Sequence, residues 1–113
     1  MTRQYNQLPQ VAFSILLALS LRERHGYEII KQVAEDSNGK LKLSPGALYT
    51  SIKQLNEHGL VEEVPNLEDP RRRYYRLTAR GSKALEDELA YYENSISLAR
   101  QRHVLEVHYG KQA

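Results

Sequence analysis

Residues 44–78 read SPGALYTSIKQLNEHGLVEEVPNLEDPRRRYYRLT, and this stretch decides the fold. Serine is a good N-cap and proline a good first helical residue, so Ser44 and Pro45 open a helix. Leu48, Ile52 and Leu55 recur at spacings of 4 and 3, one core-facing stripe on a helix that runs to His58. Gly59 sits where a helix ends in a left-handed residue, with Leu60 placed to pack back behind it. Residues 60–64 (LVEEV) predict a strand, residues 65–70 (PNLEDP) a polar turn and residues 72–77 the returning strand. Along that strand Tyr75 and Leu77 share one face, and Arg72, Tyr74 and Arg76 share the other. The stretch is a helix followed by a β-hairpin with a charged tip.

Upstream, residues 8–23 predict a first helix, apolar on nearly every side and therefore central. His25 and Gly26 break it. A second helix is expected over residues 27–36, with Tyr27, Ile30, Val33 and Ala34 on one face. Ser37, Asn38 and Gly39 end it by offering left-handed backbone angles. Lys40, Leu41, Lys42 and Leu43 alternate and predict a short extended segment. Downstream, Thr78 is the N-cap of a fourth helix reaching about residue 107, with Gly81 a mild cost in its first turns. Leu85, Leu89, Tyr92, Ile96, Ala99 and His103 follow at spacings of 4, 3, 4, 3 and 4, a heptad seam of nearly three repeats. At 1.5 Å per residue that helix is roughly 40 Å long, which favours projection and pairing with a second copy. The order helix, helix, helix, hairpin, long helix is the layout of a winged helix-turn-helix, mainly α with a small β-hairpin. Residues 1–80 are expected to form the winged-helix DNA-binding domain, and residues 81–113 a C-terminal dimerisation helix and tail.

The chain has 113 residues, enough for one compact domain. With 41% hydrophobic and 27% charged residues it is ordinary for a globular protein, not a disordered one. Net charge is only +2, but the charge is unevenly placed. Residues 70–85 hold six bases (Arg71, Arg72, Arg73, Arg76, Arg80, Lys83) and no acid, while residues 86–113 hold five acids against three bases. A local basic patch of this kind is the footprint of phosphate binding. The absence of cysteine excludes disulfides, thiolate zinc sites and a cysteine nucleophile. It also fits a reducing compartment, so the expected location is cytoplasmic. The one long apolar run, VAFSILLALSL at residues 11–21, is too short to span a bilayer. Charged residues follow it where a cleavage site would stand, so it reads as a buried helix rather than a signal peptide.

On the third helix, the face opposite the apolar stripe holds Gly46, Ala47, Thr50, Lys53 and Gln54, with Tyr49 and Ser51 on its flanks. Small residues at its start allow close approach to DNA, and the helix N-terminus at Ser44 favours phosphate. Thr50 and Gln54 suit base edges, and Lys53 suits phosphate. Arg71, Arg72 and Arg73 at the hairpin can straddle a minor groove or grip the backbone. The plain alternatives are a solvated helix face and a solubilising turn. His25, His58, His103 and His108 lack ligand spacing, so no metal site is expected. Paired carboxylates, a nucleophile elbow and a glycine-rich phosphate loop are all missing, so neither an enzyme nor a cofactor is expected. Tyr91, Tyr92 and Tyr109, in or near the fourth helix, read first as core or interface packing and second as the lining of an inter-subunit pocket.

His25-Gly26-Tyr27-Glu28-Ile29, Gly46-Ala47-Leu48-Tyr49, His58-Gly59-Leu60-Val61-Glu62, Arg73-Tyr74-Tyr75-Arg76-Leu77-Thr78 and Gly81 occur in an order and spacing that resembles the PadR-like transcriptional regulators, specifically the short subgroup with one C-terminal helix. The resemblance covers about residues 8–90. It implies a homodimer built by the C-terminal helix that binds a palindromic operator in double-stranded DNA, usually as a repressor. It further implies that Tyr49 and the third helix face DNA, that the wing arginines grip the backbone, and that a small-molecule effector site lies at the dimer interface. Two residues depart from the pattern. Thr50 stands where relatives often carry proline, which adds a backbone donor and a hydroxyl to the reading face. The chain has no tryptophan, so the stacked-indole drug pocket of some relatives cannot form. The alternative function is a protein-interaction module that keeps the winged-helix shape and does not bind DNA. A small hydrolase is a third reading, for which no nucleophile and base can be named.

Overall fold

Helix α1 (Gln10–Leu19) runs through the middle of the molecule, as its all-round apolar sequence requires, with Ile15, Leu16 and Ala18 fully buried. The computed structural model describes residues 7–106. After α1 come β1 (Arg24–His25), α2 (Gly26–Asp36), α3 (Pro45–Glu57), β2 (Val61–Val64), β3 (Tyr74–Leu77) and α4 (Ala79–Gln101). The helices α1, α2 and α3 pack on one another around Ile29, Val33, Leu48, Ile52 and Leu55, and Leu60, Val61 and Tyr75 close the core from the sheet side.

The sheet has three antiparallel strands in the order β1-β3-β2, one more than the expected hairpin. Val61 pairs with Leu77 and Val64 with Tyr74, while Arg24 and His25 pair with Tyr75 and Tyr74 on the other edge of β3. This extra strand explains why α1 stops at Leu19 rather than at residue 23. The Ser20 hydroxyl donates to Leu17 O at 2.6 Å, and buried Arg24 donates from Nε to Ala18 O at 3.0 Å. A cation on the last carbonyls of a helix satisfies acceptors that have no partner within it. The chain is then drawn straight into the sheet.

Three helices end in the same hydrogen-bonded motif. Asn38 (φ 55°), Gly59 (φ 75°) and His103 (φ 61°) are left-handed. In each case the next residue's N–H reaches back to a carbonyl three residues before the cap, as in Gly39 to Ala34 (2.7 Å), Leu60 to Leu55 (2.9 Å) and Val104 to Ala99 (2.8 Å). Asn38 and Gly59 fall where their residue types lead one to expect. His103 does not: it lies past the end of α4, so it is not part of a helical seam, and the helix stops at Gln101 instead of near residue 107, a position outside the described residues. Two other expectations are corrected. Residues 40–43 form no strand, because the Leu41 N–H is taken by the Ser37 hydroxyl (2.9 Å) and Leu43 turns into the core. The buried face of α2 is Gly26, Ile29 and Val33, leaving Tyr27 exposed.

The root of α4 docks on the turn between α3 and β2. Thr78 donates its hydroxyl to Gly59 O (2.6 Å) and its N–H to Leu60 O (3.1 Å), while its Oγ1 accepts from Gly81 N–H (2.9 Å). Gly81 lies so close that a Cβ there would collide with the Leu60 carbonyl. Ala84, Leu85 and Glu88 are buried beyond it, and Phe13 meets Tyr92 edge to face at 5.5 Å between ring centroids. Leu85, the first member of the expected inter-subunit seam, therefore belongs to the protomer's own core. Among the described residues, none of α4 after Glu88 is buried. The radius of gyration, 16.3 Å against about 13 Å for a compact chain of 100 residues, reflects this projecting half.

Gly81 is thus required by close approach, not merely tolerated. Gly81→Ala is expected to destabilise the protein by about 2–3 kcal/mol, because the obstacle is backbone that cannot move aside. Urea unfolding followed by circular dichroism measures this, and an unchanged midpoint would show that α4 docks less tightly than the structure has it.

Candidate nucleic-acid interface

The start of α3 is held by its own cap. Ser44 Oγ accepts the Ala47 N–H at 3.1 Å, and Ser44 O accepts the Leu48 N–H at 3.0 Å. Pro45 has no N–H, so Gly46 is the one residue of this first turn whose backbone donor is left for a ligand. The positive end of the helix dipole is exposed there, but most of its donors are spent. Leu48, Ile52 and Leu55 point inward, and Gly46, Ala47, Tyr49, Thr50, Lys53 and Gln54 are all exposed.

Tyr49 and the hairpin arginines come together. A concavity of about 310 Å³ lies between the two, lined by His25, Gly26, Tyr27, Tyr49, Arg71, Arg72 and Arg73. Gln54 faces a different hollow of about 210 Å³, between α1 and α3, with Leu8, Ser51 and His58. The predicted DNA-contacting residues therefore form one ridge along α3, with the wing meeting it at the Tyr49 end only.

Local packing sets this meeting point. Gly26 lies against Tyr49: a Cβ at Gly26 would meet the Tyr49 hydroxyl and come within 2.9 Å of its Cζ. His25 stands at the N-cap of α2: Glu28 Oε1 accepts the His25 N–H at 3.2 Å, and the ring Nδ1 lies 3.4 Å from the Glu28 backbone N. The other ring nitrogen, Nε2, lies 2.8 Å from Arg72 Nη1. Arg72 Nε is also 3.5 Å from Asp69 Oδ2, the atom that accepts the Tyr74 hydroxyl at 3.2 Å. Tyr27 stacks beside the His25 ring at 6.5 Å, with Lys31 Nζ 5.8 Å from its own ring centroid. Sequence reasoning missed His25, Gly26 and Tyr27 as lining of this site. Only their place on the helix preceding a reading helix could have pointed to them.

The six bases of residues 70–85 are not equivalent. Arg76 Nε pairs with Glu62 at 2.7 Å across the hairpin, and Lys83 with Asp87 at 3.1 Å. The hydrogen bond and charge of Asp87 hold the Lys83 ammonium above its ordinary value. Burial, followed by the Asp69 carboxylate, pushes the Tyr74 phenol up. Burial also raises Tyr75, with Glu63 and Tyr49 adding to it and Arg73 opposing. Among the described residues, no carboxylate lies within ion-pair distance of Arg71 or Arg73. These two, with the partly engaged Arg72, carry the uncompensated charge of the concavity. No group of His, Asp and Glu among the described residues is arranged to hold a metal ion. No described helix is long and apolar enough to cross a membrane.

Three packed helices, a hairpin wing and a basic hollow between wing and third helix define a winged-helix regulator. The model of the transcriptional regulator PadR-like family matches residues 15–87, and the chain belongs to that family. A PadR family transcription regulator from hypervirulent Clostridium difficile R20291 superposes with a TM-score of 0.71 and 26% identity, over 82% of this chain and 97% of that one. A transcriptional regulator from Clostridium thermocellum shares the fold, with a TM-score of 0.68 and 24% identity over 80% of this chain and 87% of that one. A protein of Lysinibacillus sphaericus without a described function is 29% identical over 77 residues, 66% of this chain and 71% of its own. The chain is a transcriptional regulator, not an enzyme.

Glu28 links the site to acid stability. Burial alone would raise its carboxyl, but the His25 N–H and the Arg22 guanidinium outweigh it and hold it below its ordinary value of 4.5. Its value is lower folded than unfolded, so its contribution is complete above about pH 4.5 and is lost as pH falls through the folded value. Glu28→Gln is therefore expected to flatten the acid limb of a stability-versus-pH curve below about pH 4.5. Parallel wild-type and variant limbs in urea titrations would exclude this role.

Proposed function

We propose that the protein is a sequence-specific double-stranded DNA-binding repressor that acts as a homodimer on a palindromic operator. The observation that carries this reading is the convergence of Tyr49 of α3 with Arg71, Arg72 and Arg73 on one concavity. A helix presented beside a basic wing suits a major groove flanked by phosphates. Ser44, Gly46, Ala47, Tyr49, Thr50, Lys53 and Gln54 face the groove, with Thr50 and Gln54 reading base edges and Lys53 on the backbone. The wing arginines clamp phosphate. Such a regulator acts in the cytoplasm, where it meets the DNA it controls.

Dimerisation is assigned to the projecting half of α4. Leu89, Tyr92 and Ile96 are 42%, 37% and 43% exposed, an apolar load that a lone helix leaves in water. Ala99 continues the stripe, which opens at Leu85 in the protomer core and ends before His103. A small-molecule effector between the subunits would meet Tyr91 and Tyr92, which lie edge to face at 5.8 Å. Tyr109 lies outside the described residues.

Binding to genomic and random duplex fragments, titrated with salt, tests the DNA reading. The wild type is expected to select a duplex with affinity falling steeply in salt. Replacing Arg71, Arg72 and Arg73 together by Ala should make the slope of log K against log salt shallower by about 2–3, at roughly 0.9 per phosphate. If no duplex is bound at low salt, the protein-interaction module becomes the better account. For the dimer, Leu89→Glu with Ile96→Glu should halve the mass in sedimentation equilibrium while the far-ultraviolet spectrum is kept. An unchanged dimer would place the interface elsewhere.

A further inference from the structure

His25 carries two attachments that the DNA reading alone does not use. The side chain is 8% exposed and fixed on several sides. Its backbone pairs with Tyr74 across the sheet, its N–H is held by Glu28 Oε1, and the Tyr74 ring meets it edge on at 5.2 Å. From this rigid base Nε2 reaches Arg72 Nη1 at 2.8 Å, joining α2 to the wing across 47 residues of chain. A guanidinium has donors only, so the ring nitrogen facing it is the acceptor. The Glu28 N–H is also a donor, and a neutral imidazole has one acceptor nitrogen. The shorter, charge-assisted contact to Arg72 takes that lone pair; Nδ1 then carries the ring proton and accepts nothing from the Glu28 N–H, so the link between His25 and Glu28 rests on the His25 N–H held by Glu28 Oε1.

Arg72 is thus held at two of its nitrogens, Nη1 by His25 and Nε by Asp69, yet its side chain is still 58% exposed and lines the concavity. Nη2 is the edge left for a ligand. We propose that His25 is a positioning residue for the wing: it holds the Arg72 guanidinium in place so that this edge faces a DNA backbone phosphate in the concavity. The proposal rests on the DNA-binding reading and adds His25 to it. A preheld guanidinium loses less side-chain freedom when the phosphate arrives, which is where the gain in affinity comes from. Arg71 has no such strut, and Arg73 is engaged by the Tyr75 hydroxyl instead.

The test compares wild type, Arg72→Ala, His25→Asn, His25→Gln and the His25→Asn/Arg72→Ala double variant on one selected duplex, by fluorescence anisotropy across a salt series, with melting by circular dichroism. Asparagine is a good N-cap, so His25→Asn keeps the start of α2 but is too short to reach Arg72. Arg72→Ala is expected to weaken binding and to make the salt slope shallower by about 0.9, one phosphate contact. His25→Asn should melt close to wild type and keep the wild-type slope, while binding on the order of 3–10-fold more weakly through lost preorganisation. His25→Gln, whose amide oxygen extends further towards Arg72, should recover part of that loss. The double variant should bind no more weakly than Arg72→Ala alone, since His25 acts through Arg72.

The proposal is overturned if His25→Asn binds like wild type, if Arg72→Ala leaves the slope unchanged, or if the two losses add. Should His25→Asn not fold, His25→Gln takes its place beside Arg72→Ala: it should keep the wild-type slope and bind more weakly than wild type, and wild-type affinity for it overturns the proposal. A wild type that binds no duplex takes the DNA reading down together with this one. A wild type that binds, with slopes lowered by Arg71→Ala and Arg73→Ala but not by Arg72→Ala, leaves the DNA reading standing and removes only the role of His25.

Discussion

The backbone of Leu60 is where the parts of the molecule are joined. Its N–H closes α3 onto Leu55, its side chain is buried, and its carbonyl receives the Thr78 N–H and lies against Gly81. One residue therefore sets the end of α3, the start of the hairpin and the seat of α4. Buried backbone polar groups must be paired, and a helix can approach a carbonyl this closely only through glycine. The angle between α3 and the hairpin follows from this joint. So does the hollow in which Tyr49 and the arginines meet.

The charge on the wing is arranged by position along the hairpin. Glu62 and Glu63 lie on β2, while Glu68, Asp69 and Arg71 to Arg73 share the connecting loop, since β3 begins at Tyr74 and not at residue 72 as expected; of the wing's bases only Arg76 is on the returning strand. Exposed ion pairs such as Glu62–Arg76 contribute little to stability, commonly less than about 1 kcal/mol. Their larger effect is to remove Arg76 and Lys83 from the field that a phosphate would meet.

Most of the fold is legible in local chemistry. Periodic leucines marked α3, Ser44-Pro45 its start and Gly59 its end, because capping and amphipathic spacing are encoded within a few residues. What stayed hidden depends on contacts distant in sequence. Strand β1 is two polar-looking residues whose partners lie some fifty positions on, and no periodicity announces it. Gly81 looked like a helix blemish until Leu60 was seen beside it. The heptad spacing of α4 is real, but spacing cannot tell which partner buries a stripe, and Leu85 is buried by its own domain. The same holds for the site. The arginine run and the polar face of α3 stand out in the sequence, whereas His25 joins them only because the sheet carries it there.

The edge-to-face contact of Phe13 with Tyr92, together with buried Ala84, Leu85 and Glu88, makes α1 and the first half of α4 one rigid piece. The second half is then a lever with its fulcrum in the core. In a pair of subunits joined through this helix, the crossing angle would act as a gauge for the separation of the two reading helices. Over the projecting residues 89–101, roughly 20 Å at 1.5 Å per residue, a tilt of about 10° moves the far end by roughly 3.4 Å. That is about the rise of one base pair. In the proposed dimer, small changes in the crossing would therefore shift the spacing between the two α3 helices by about one base pair.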